Sequence, residues 1–214
     1  YQAVLSIQMF PRYILNSFII SVISVASVLL SSMVAGYTFA KFKFPLRNLL
    51  FTVILATAIM PFEVYMVSIY LTVRSLHLFD TYLGIAFPIL IMSFGIFFIR
   101  QFALSVPDEL LDAARIDGAS EPWILLRVAV PLCVSPLLAL AIFTFTDAWG
   151  FFIWPLVVIN SKEMFTVDLG LNIFHRKFYV NHGPVAAGAV VAILPLMLVF
   201  AVLRRRFMEG IALT

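Results

Sequence analysis

Charge is scarce in this sequence. Acidic and basic residues together make up 12% of its 214 residues, while apolar types reach 63%. A soluble domain is about half apolar and a quarter charged, so an ordinary solvated fold is excluded and a membrane class is indicated. Mean hydropathy is +1.08. Cysteine is almost missing: Cys133, inside an apolar run, is the single one. That excludes a disulfide framework and a cysteine-based metal site, and leaves Cys133 to read as a small hydrophobe. A basic n-region with a cleavage site is also missing ahead of the first apolar run, and the chain opens at Tyr1. It therefore reads as a piece of a longer protein. The net charge of +3 is no nucleic-acid signal, because the basic residues sit between apolar runs, where they orient helices in a bilayer.

What the sequence has is apolar length. A spanning helix needs roughly 20 mostly apolar residues, since backbone amides in hydrocarbon must bond to one another. Five stretches qualify, near residues 13–40, 49–73, 82–101, 128–150 and 185–203. The expected fold is all-α, a polytopic transmembrane bundle in one domain over residues 1–214. Pro61, Pro88, Pro136 and Pro195 lie inside or at the ends of these spans and are expected to bend them. Ser32 and Gly36, four residues apart, permit close helix packing.

Lys and Arg set the orientation. Lys41, Lys43, Arg47, Arg100, Arg115, Arg127, Arg204, Arg205 and Arg206 fall on one side, which makes nine. Arg12, Arg74, Lys162, Arg176 and Lys177 fall on the other, which makes five. The nine-residue side is expected to be cytoplasmic, with the C-terminus inside. A sixth helix upstream of Tyr1 would place both ends inside. The two long gaps are then a cytoplasmic loop, 105–127, and an external loop, 155–184. The external loop carries Asn160, Lys162, Glu163, Asp168, His175, Arg176, Lys177, Asn181 and His182.

The cytoplasmic loop has dense local signals. Ser105-x-x-Asp108 looks like a capping box, and Pro107 suits an early helical position. Asp108, Glu109 and Asp112 favour a helix N-terminus. Gly118 suits a left-handed helix end, and Ser120 a second N-cap before Glu121 and Pro122. The expectation is a helix over 107–117, a turn at Gly118, and a helix from Glu121 into the fourth span. Ala113 and Ala114 make the first helix thin enough to lie in a partner's groove. Residue chemistry alone also permits a solvated connecting helix.

This loop resembles the "EAA" motif of ABC importer permeases, E-A-A-x-x-D-G-A followed by a proline at the next helix. Here it reads Asp112-Ala113-Ala114-Arg115-Ile116-Asp117-Gly118-Ala119, with Arg127 and Pro131 downstream. Asp112 replaces the usual Glu. Asn16-Ser17, the run from Tyr37 to Pro45, Pro61, the run from Phe98 to Phe102, and Trp149 with Trp154-Pro155-Leu156 also fit. Gly150 stands where Asn is common in the family. The resemblance, closest to the carbohydrate-uptake branch, covers nearly the whole chain. It implies a type I ABC importer fold, a helix ahead of Tyr1 and a short Gly-rich tail after Thr214. It also implies two ATP-binding subunits, a second homologous permease and an external solute-binding protein. The cargo it implies is a carbohydrate crossing the prokaryotic inner membrane. Asp112, Ala113, Ala114, Asp117, Gly118 and Ala119 would form the coupling contact with the ATPase. The chain has no G-x-x-x-x-G-K-[ST] phosphate loop, so ATP and Mg would be bound by the partners and no cofactor, metal or catalytic residue is assigned here.

Ionisable groups at membrane depth are path candidates. Glu63 and Asp147 qualify, and Trp149 and Trp154 offer aromatic faces to a sugar. A partner-paired carboxylate and an interfacial aromatic belt are the competing readings. Glycerol phosphate or a polyol stays open as cargo. An intramembrane enzyme would need paired catalytic groups at depth, yet His77, His175 and His182 all fall between spans. A channel would leave the acidic-Ala-Gly loop without a role.

Overall fold

The computed structural model describes residues 9–177 and 182–211, and every regular element among them is helical. The first helix, α1 (Phe10–Lys41), runs 32 residues without interruption. At 1.5 Å per residue it is about 48 Å long, more than a hydrocarbon core of roughly 30 Å requires. It is the one described helix that is long and apolar enough to cross a membrane alone.

The next three expected spans are broken rather than continuous. The second is α2 (Arg47–Ile59) followed by α3 (Phe62–Ser75). The third is α4 (Tyr82–Ala86), a 3₁₀ turn (Phe87–Ile89) and α5 (Ser93–Ala103). After α6 (Asp108–Ile116), the fourth is α7 (Glu121–Leu132) followed by α8 (Val134–Trp149). Each pair is long and apolar enough only when taken together. Proline is the cause at the first break. Met60, which precedes Pro61, is extended at φ −74°, ψ 124°, since the proline ring clashes with a helical neighbour. In α7 the stretch Leu125–Ala129 is π-helical, with the Val130 amide donating to the Leu125 carbonyl. This widened turn sits immediately before Pro131, which has no amide to donate. After α9 (Ile153–Val158), a 3₁₀ turn (Lys162–Met164) and α10 (Val167–Lys177), the fifth span lies in α11 (His182–Ile211), with Pro195 inside it. Asn181 and the side chains of His175, Arg176, Lys177, His182 and Arg204 to Arg206 lie outside the described residues.

The described residues form two compact units, each assembled from separate stretches of chain. One comprises residues 9–25, 62–90, 143–177 and 182–202; the other comprises 26–61, 91–142 and 203–211. In the first unit, Phe10, Tyr13, Phe145, Trp149 and Val167 form one buried cluster. Ile20, Val73, Ile85, Trp154 and Val158 form another. Asn16, fully buried, pins the loop around residues 163–165: its amide donates to the carbonyls of Glu163 (2.8 Å) and Phe165 (3.0 Å) and its oxygen accepts from the Tyr82 hydroxyl (2.9 Å). Ser17 accepts from the Val167 amide at 2.9 Å. The Asn16-Ser17 pair thus holds loop backbone that would otherwise be unsatisfied in an apolar setting.

In the second unit, Phe39, Phe51 and Ile96 form the buried centre. The Arg100 guanidinium stands 4.1 Å over the Phe51 ring, and its Nε donates to the Phe39 carbonyl at 3.3 Å. Gly36 faces α5 so closely that a Cβ would sit 2.9 Å from the Arg100 amide nitrogen and 3.1 Å from the Ile96 carbonyl oxygen. Ser32, one turn away, meets Gly95. The pair read as a packing stripe is therefore the surface on which α1 and α5 touch.

Candidate functional site

The elbow of α6 and α7 is built almost as its sequence dictates, within the second unit. Helix α6 covers Asp108–Ile116, one residue shorter at each end than expected. Pro107 occupies the N-cap position with φ −61° and ψ 130°, and caps nothing with its side chain. The expected capping box does not form: the Ser105 hydroxyl turns back to donate to the Phe102 carbonyl at 2.7 Å. The Asp108 carboxylate is claimed instead by Lys41, the last residue of α1, whose Nζ donates to Oδ1 at 2.7 Å and to the Val106 carbonyl at 2.5 Å. The hydrogen bond and charge of Lys41 hold the Asp108 carboxyl below its ordinary value.

The C-terminal end of α6 is a Schellman turn. The Gly118 amide donates to the Arg115 carbonyl and the Ala119 amide to the Ala114 carbonyl, each at 3.0 Å. Gly118 is left-handed at φ +82°, and nothing lies within 4 Å of where its Cβ would be. Backbone conformation, not space, is what calls for glycine there. Ser120 takes the expected N-cap position of α7 but makes no side-chain cap bond.

Arg115 ties the two arms together. It donates to Asp112 at 2.7 Å, and to both Glu121 carboxylate oxygens at 2.6 and 3.3 Å. Its two carboxylate partners, Glu121 above all, push the guanidinium still further above its ordinary value. Asp112 is thus occupied by its own elbow, whereas Asp117 is exposed at the turn without a side-chain partner among the described residues. Beside that turn lies an open groove of about 830 Å³ lined by Leu110, Ala113, Ala114, Asp117, Gly118, Ala119, Ser120, Trp123 and Val128. Around its alanine floor stand large apolar side chains exposed to the outside: Leu110 at 49% and Trp123 at 51%. A soluble monomer rarely leaves such a rim uncovered.

The path candidates divide. Glu63, in the first turn of α3, and Asp147, in α8, are exposed. Trp149 is buried and stacks on Phe145 at 5.5 Å between centroids. Trp154 is fully buried, edge-on to Phe62 at 6.0 Å, with its indole N–H donating to the Gly84 carbonyl at 2.9 Å. Both tryptophans pack inside the first unit, so neither the open sugar platform nor the interfacial belt describes them in this structure. Lys41 is the residue that sequence reasoning undervalued: it counted only as an orienting charge. Its position at the end of 32 helical residues fixes a cation at the helix's last turn, but not the loop backbone it reaches.

The family model of the "binding-protein-dependent transport system inner membrane component" matches residues 27–211. The chain is 34% identical over 200 residues to the arabinooligosaccharides transport system permease protein AraQ of Bacillus subtilis (strain 168), covering 94% of this chain and 71% of that one. It is 34% identical over 200 residues to the lactose transport system permease protein LacG of Rhizobium radiobacter, covering 94% and 73%. It is 32% identical over 204 residues to the sn-glycerol-3-phosphate transport system permease protein UgpE of Shigella flexneri serotype 5b (strain 8401), again covering 94% and 73%. Among solved structures, a chain of a bacterial ABC transporter involved in the import of the acidic polysaccharide alginate shares the fold. Its TM-score is 0.84 at 24% identity, over 97% of this chain and 78% of that one. The chain belongs to the family of binding-protein-dependent transport inner membrane components: it is a multi-pass membrane subunit of an ABC importer.

Proposed function

We propose that this chain forms half of the translocation path of an ATP-driven importer for a carbohydrate, with the α6–α7 elbow as its contact with a separate ATPase. The observation that carries the reading is the elbow: an exposed alanine-floored groove, rimmed by Leu110 and Trp123, on a helix clamped to α1 by Lys41. The carbohydrate cargo is supported by the arabinooligosaccharide and lactose permeases among the relatives. The glycerol 3-phosphate permease, slightly less identical, keeps a phosphorylated polyol as the competing cargo.

In this reading ATP and Mg are bound by two partner subunits, a second homologous permease completes the path, and an external solute-binding protein delivers the solute. The elbow and the C-terminus face the cytoplasm, as the distribution of Lys and Arg suggests. Closure of the ATPase pair supplies the energy. This chain's residues receive it: Ala113 and Ala114 permit close approach, Asp117 offers the free carboxylate, and Gly118 with Arg115 keeps the elbow's angle fixed. The apolar segments then exchange between two arrangements whose balance is biased from both faces of the membrane. Glu63 and Asp147, both exposed, are the chain's candidate path carboxylates.

The test is co-purification of the full complex carrying Ala114→Trp, followed by uptake of labelled oligosaccharide and of glycerol 3-phosphate. The substituted chain is expected to insert but to lose the ATPase subunits, because an indole fills the groove. Normal recovery of the complex overturns the docking assignment. Glycerol 3-phosphate uptake without oligosaccharide uptake by the unsubstituted complex overturns the carbohydrate assignment.

A further inference from the structure

The loop between α1 and α2 encloses an open pocket of about 430 Å³, lined by Lys43, Phe44, Leu46, Arg47, Asn48 and Leu49. Volumes of this order are those of small-ligand sites. The lining joins two chemistries. Lys43 and Arg47 supply two cations, and neither pairs with a carboxylate among the described residues. Arg47 spends one nitrogen on the Phe42 carbonyl at 3.3 Å, which steadies the guanidinium and leaves the rest of its fork open. Beside them stand leucines: Leu46 is 67% exposed, and Leu49 and Leu50 are exposed as well.

Leu46 is held at φ +60°, a left-handed conformation that an L-residue adopts only at a cost in free energy. An exposed turn with no further task would carry Gly or Asn there. A strained backbone that directs a leucine outward beside two cations is an observation in search of a ligand. Because the loop follows the 32-residue apolar helix α1, it stands at the end of a membrane-crossing segment. Topology signalling explains why cations are present. It does not explain why they share a pocket with outward leucines.

We propose that this pocket binds an anionic phospholipid, its phosphate between Lys43 and Arg47 and its acyl chains along Leu46, Leu49 and Leu50. Charge complementarity selects an anion, and the leucines select one that brings hydrocarbon. Basic pockets at the ends of membrane helices take such headgroups. A free phosphate would leave the leucines uncovered, and a zwitterionic lipid would bring a third cation to a site that already has two.

The test uses the purified complex in nanodiscs of phosphatidylcholine with spin-labelled phosphatidylglycerol as probe. The readout is the labelled lipid's association constant relative to labelled phosphatidylcholine. Each cation removed is expected to lower that preference about five-fold. Lys43→Gln/Arg47→Gln should therefore nearly abolish it, while Arg74→Gln, in the other unit, leaves it unchanged. Leu46→Gly, which the backbone accepts without strain, should shorten lipid retention with both charges intact. Should the double variant fail to assemble, Lys43→Gln on its exposed side chain carries the test alone. Wild-type preference in either cation variant overturns the proposal, as does an equal loss in Arg74→Gln. Displacement of the probe by inorganic phosphate or glycerol phosphate would mark a soluble-anion site and overturn the lipid assignment. Exclusion of all labelled lipid, with loss of a partner subunit from the double variant, would mark a protein contact and overturn it too.

Discussion

Lys41 and Asp108 meet at 2.7 Å across 67 residues of sequence, and the two ends of that bridge are unequal. The lysine side chain is 6% exposed and the aspartate 73%. An ion pair with one end in water is screened and weak. The deeper bond is the one Lys41 makes to the Val106 carbonyl at 2.5 Å, since Val106 is buried. That carbonyl belongs to the segment leading into α6, so α1 holds the elbow by its backbone first and its acid second.

Lys41→Met should therefore cost far more than Asp108→Asn. The methionine fills the lysine's stem but leaves the Val106 carbonyl without its donor, a loss of about 1–3 kcal/mol. Asp108→Asn should lower the thermal midpoint of the purified complex by a smaller, still measurable amount. In proteoliposomes, Lys41→Met is expected to lower solute uptake per ATP hydrolysed, because the elbow is no longer fixed to α1. Equal coupling ratios in the two variants would show that the exposed pair, not the backbone bond, carries the load.

The pH response of this clamp follows from the depressed Asp108 carboxyl. Its folded value lies below the ordinary 3.8, so its contribution is fully present above that value. It is lost as pH falls through the lower, folded one. Across the neutral range the wild type and Asp108→Asn should thus differ by a constant amount. The difference should vanish only below about 3.9. Thermal midpoints of the two complexes, recorded from pH 3 to pH 7, check this. Convergence already between pH 5 and 6 would contradict the Lys41 contact.

At Gly118, φ of +82° with open space around the missing Cβ isolates a conformational cost from a steric one. Gly118→Asn should be nearly silent, since Asn tolerates the left-handed region. Gly118→Ala should cost roughly 1–2 kcal/mol, and Gly118→Val more, because β-branching tightens the restriction. The same order is expected for uptake per ATP hydrolysed. A severe Gly118→Asn defect alongside a mild Gly118→Ala defect would mean that a docked partner, not the backbone, needs the glycine.

The elbow was legible in the sequence because its determinants are local. A glycine at a helix end, acids in a first turn and alanines in a row act within a few residues of themselves. Even so, Ser105 deserted its expected cap for the Phe102 carbonyl, since a hydroxyl can satisfy either group at little difference in energy. Proline marked where the spans weaken but not how far they break. Pro61 separates two helices, whereas Pro195 sits inside one. Whether neighbours re-satisfy the freed carbonyl decides the matter, and that is tertiary information. The same limit applies to Lys41 and the tryptophans. Hydropathy gives a residue's depth, not which side of the helix meets protein.

Trp154 and the exposed carboxylates should separate cleanly in transport kinetics. The Trp154 indole is fully buried and bonded to the Gly84 carbonyl at 2.9 Å. Trp154→Phe keeps most of the ring packing against Phe62 and strands that carbonyl, at a cost of about 1–3 kcal/mol. It should lower the thermal midpoint while leaving the solute concentration for half-maximal uptake unchanged. Glu63→Gln and Asp147→Asn remove exposed charges that no described residue pairs with by an ion bridge. They should leave stability unchanged and move the half-maximal concentration or the maximal rate if the solute passes them. Radiolabelled uptake over a concentration series, set beside melting curves, decides between the two behaviours. A shifted half-maximal concentration in Trp154→Phe, with both carboxylate variants silent, would return the path to the aromatic residues and remove it from the acids.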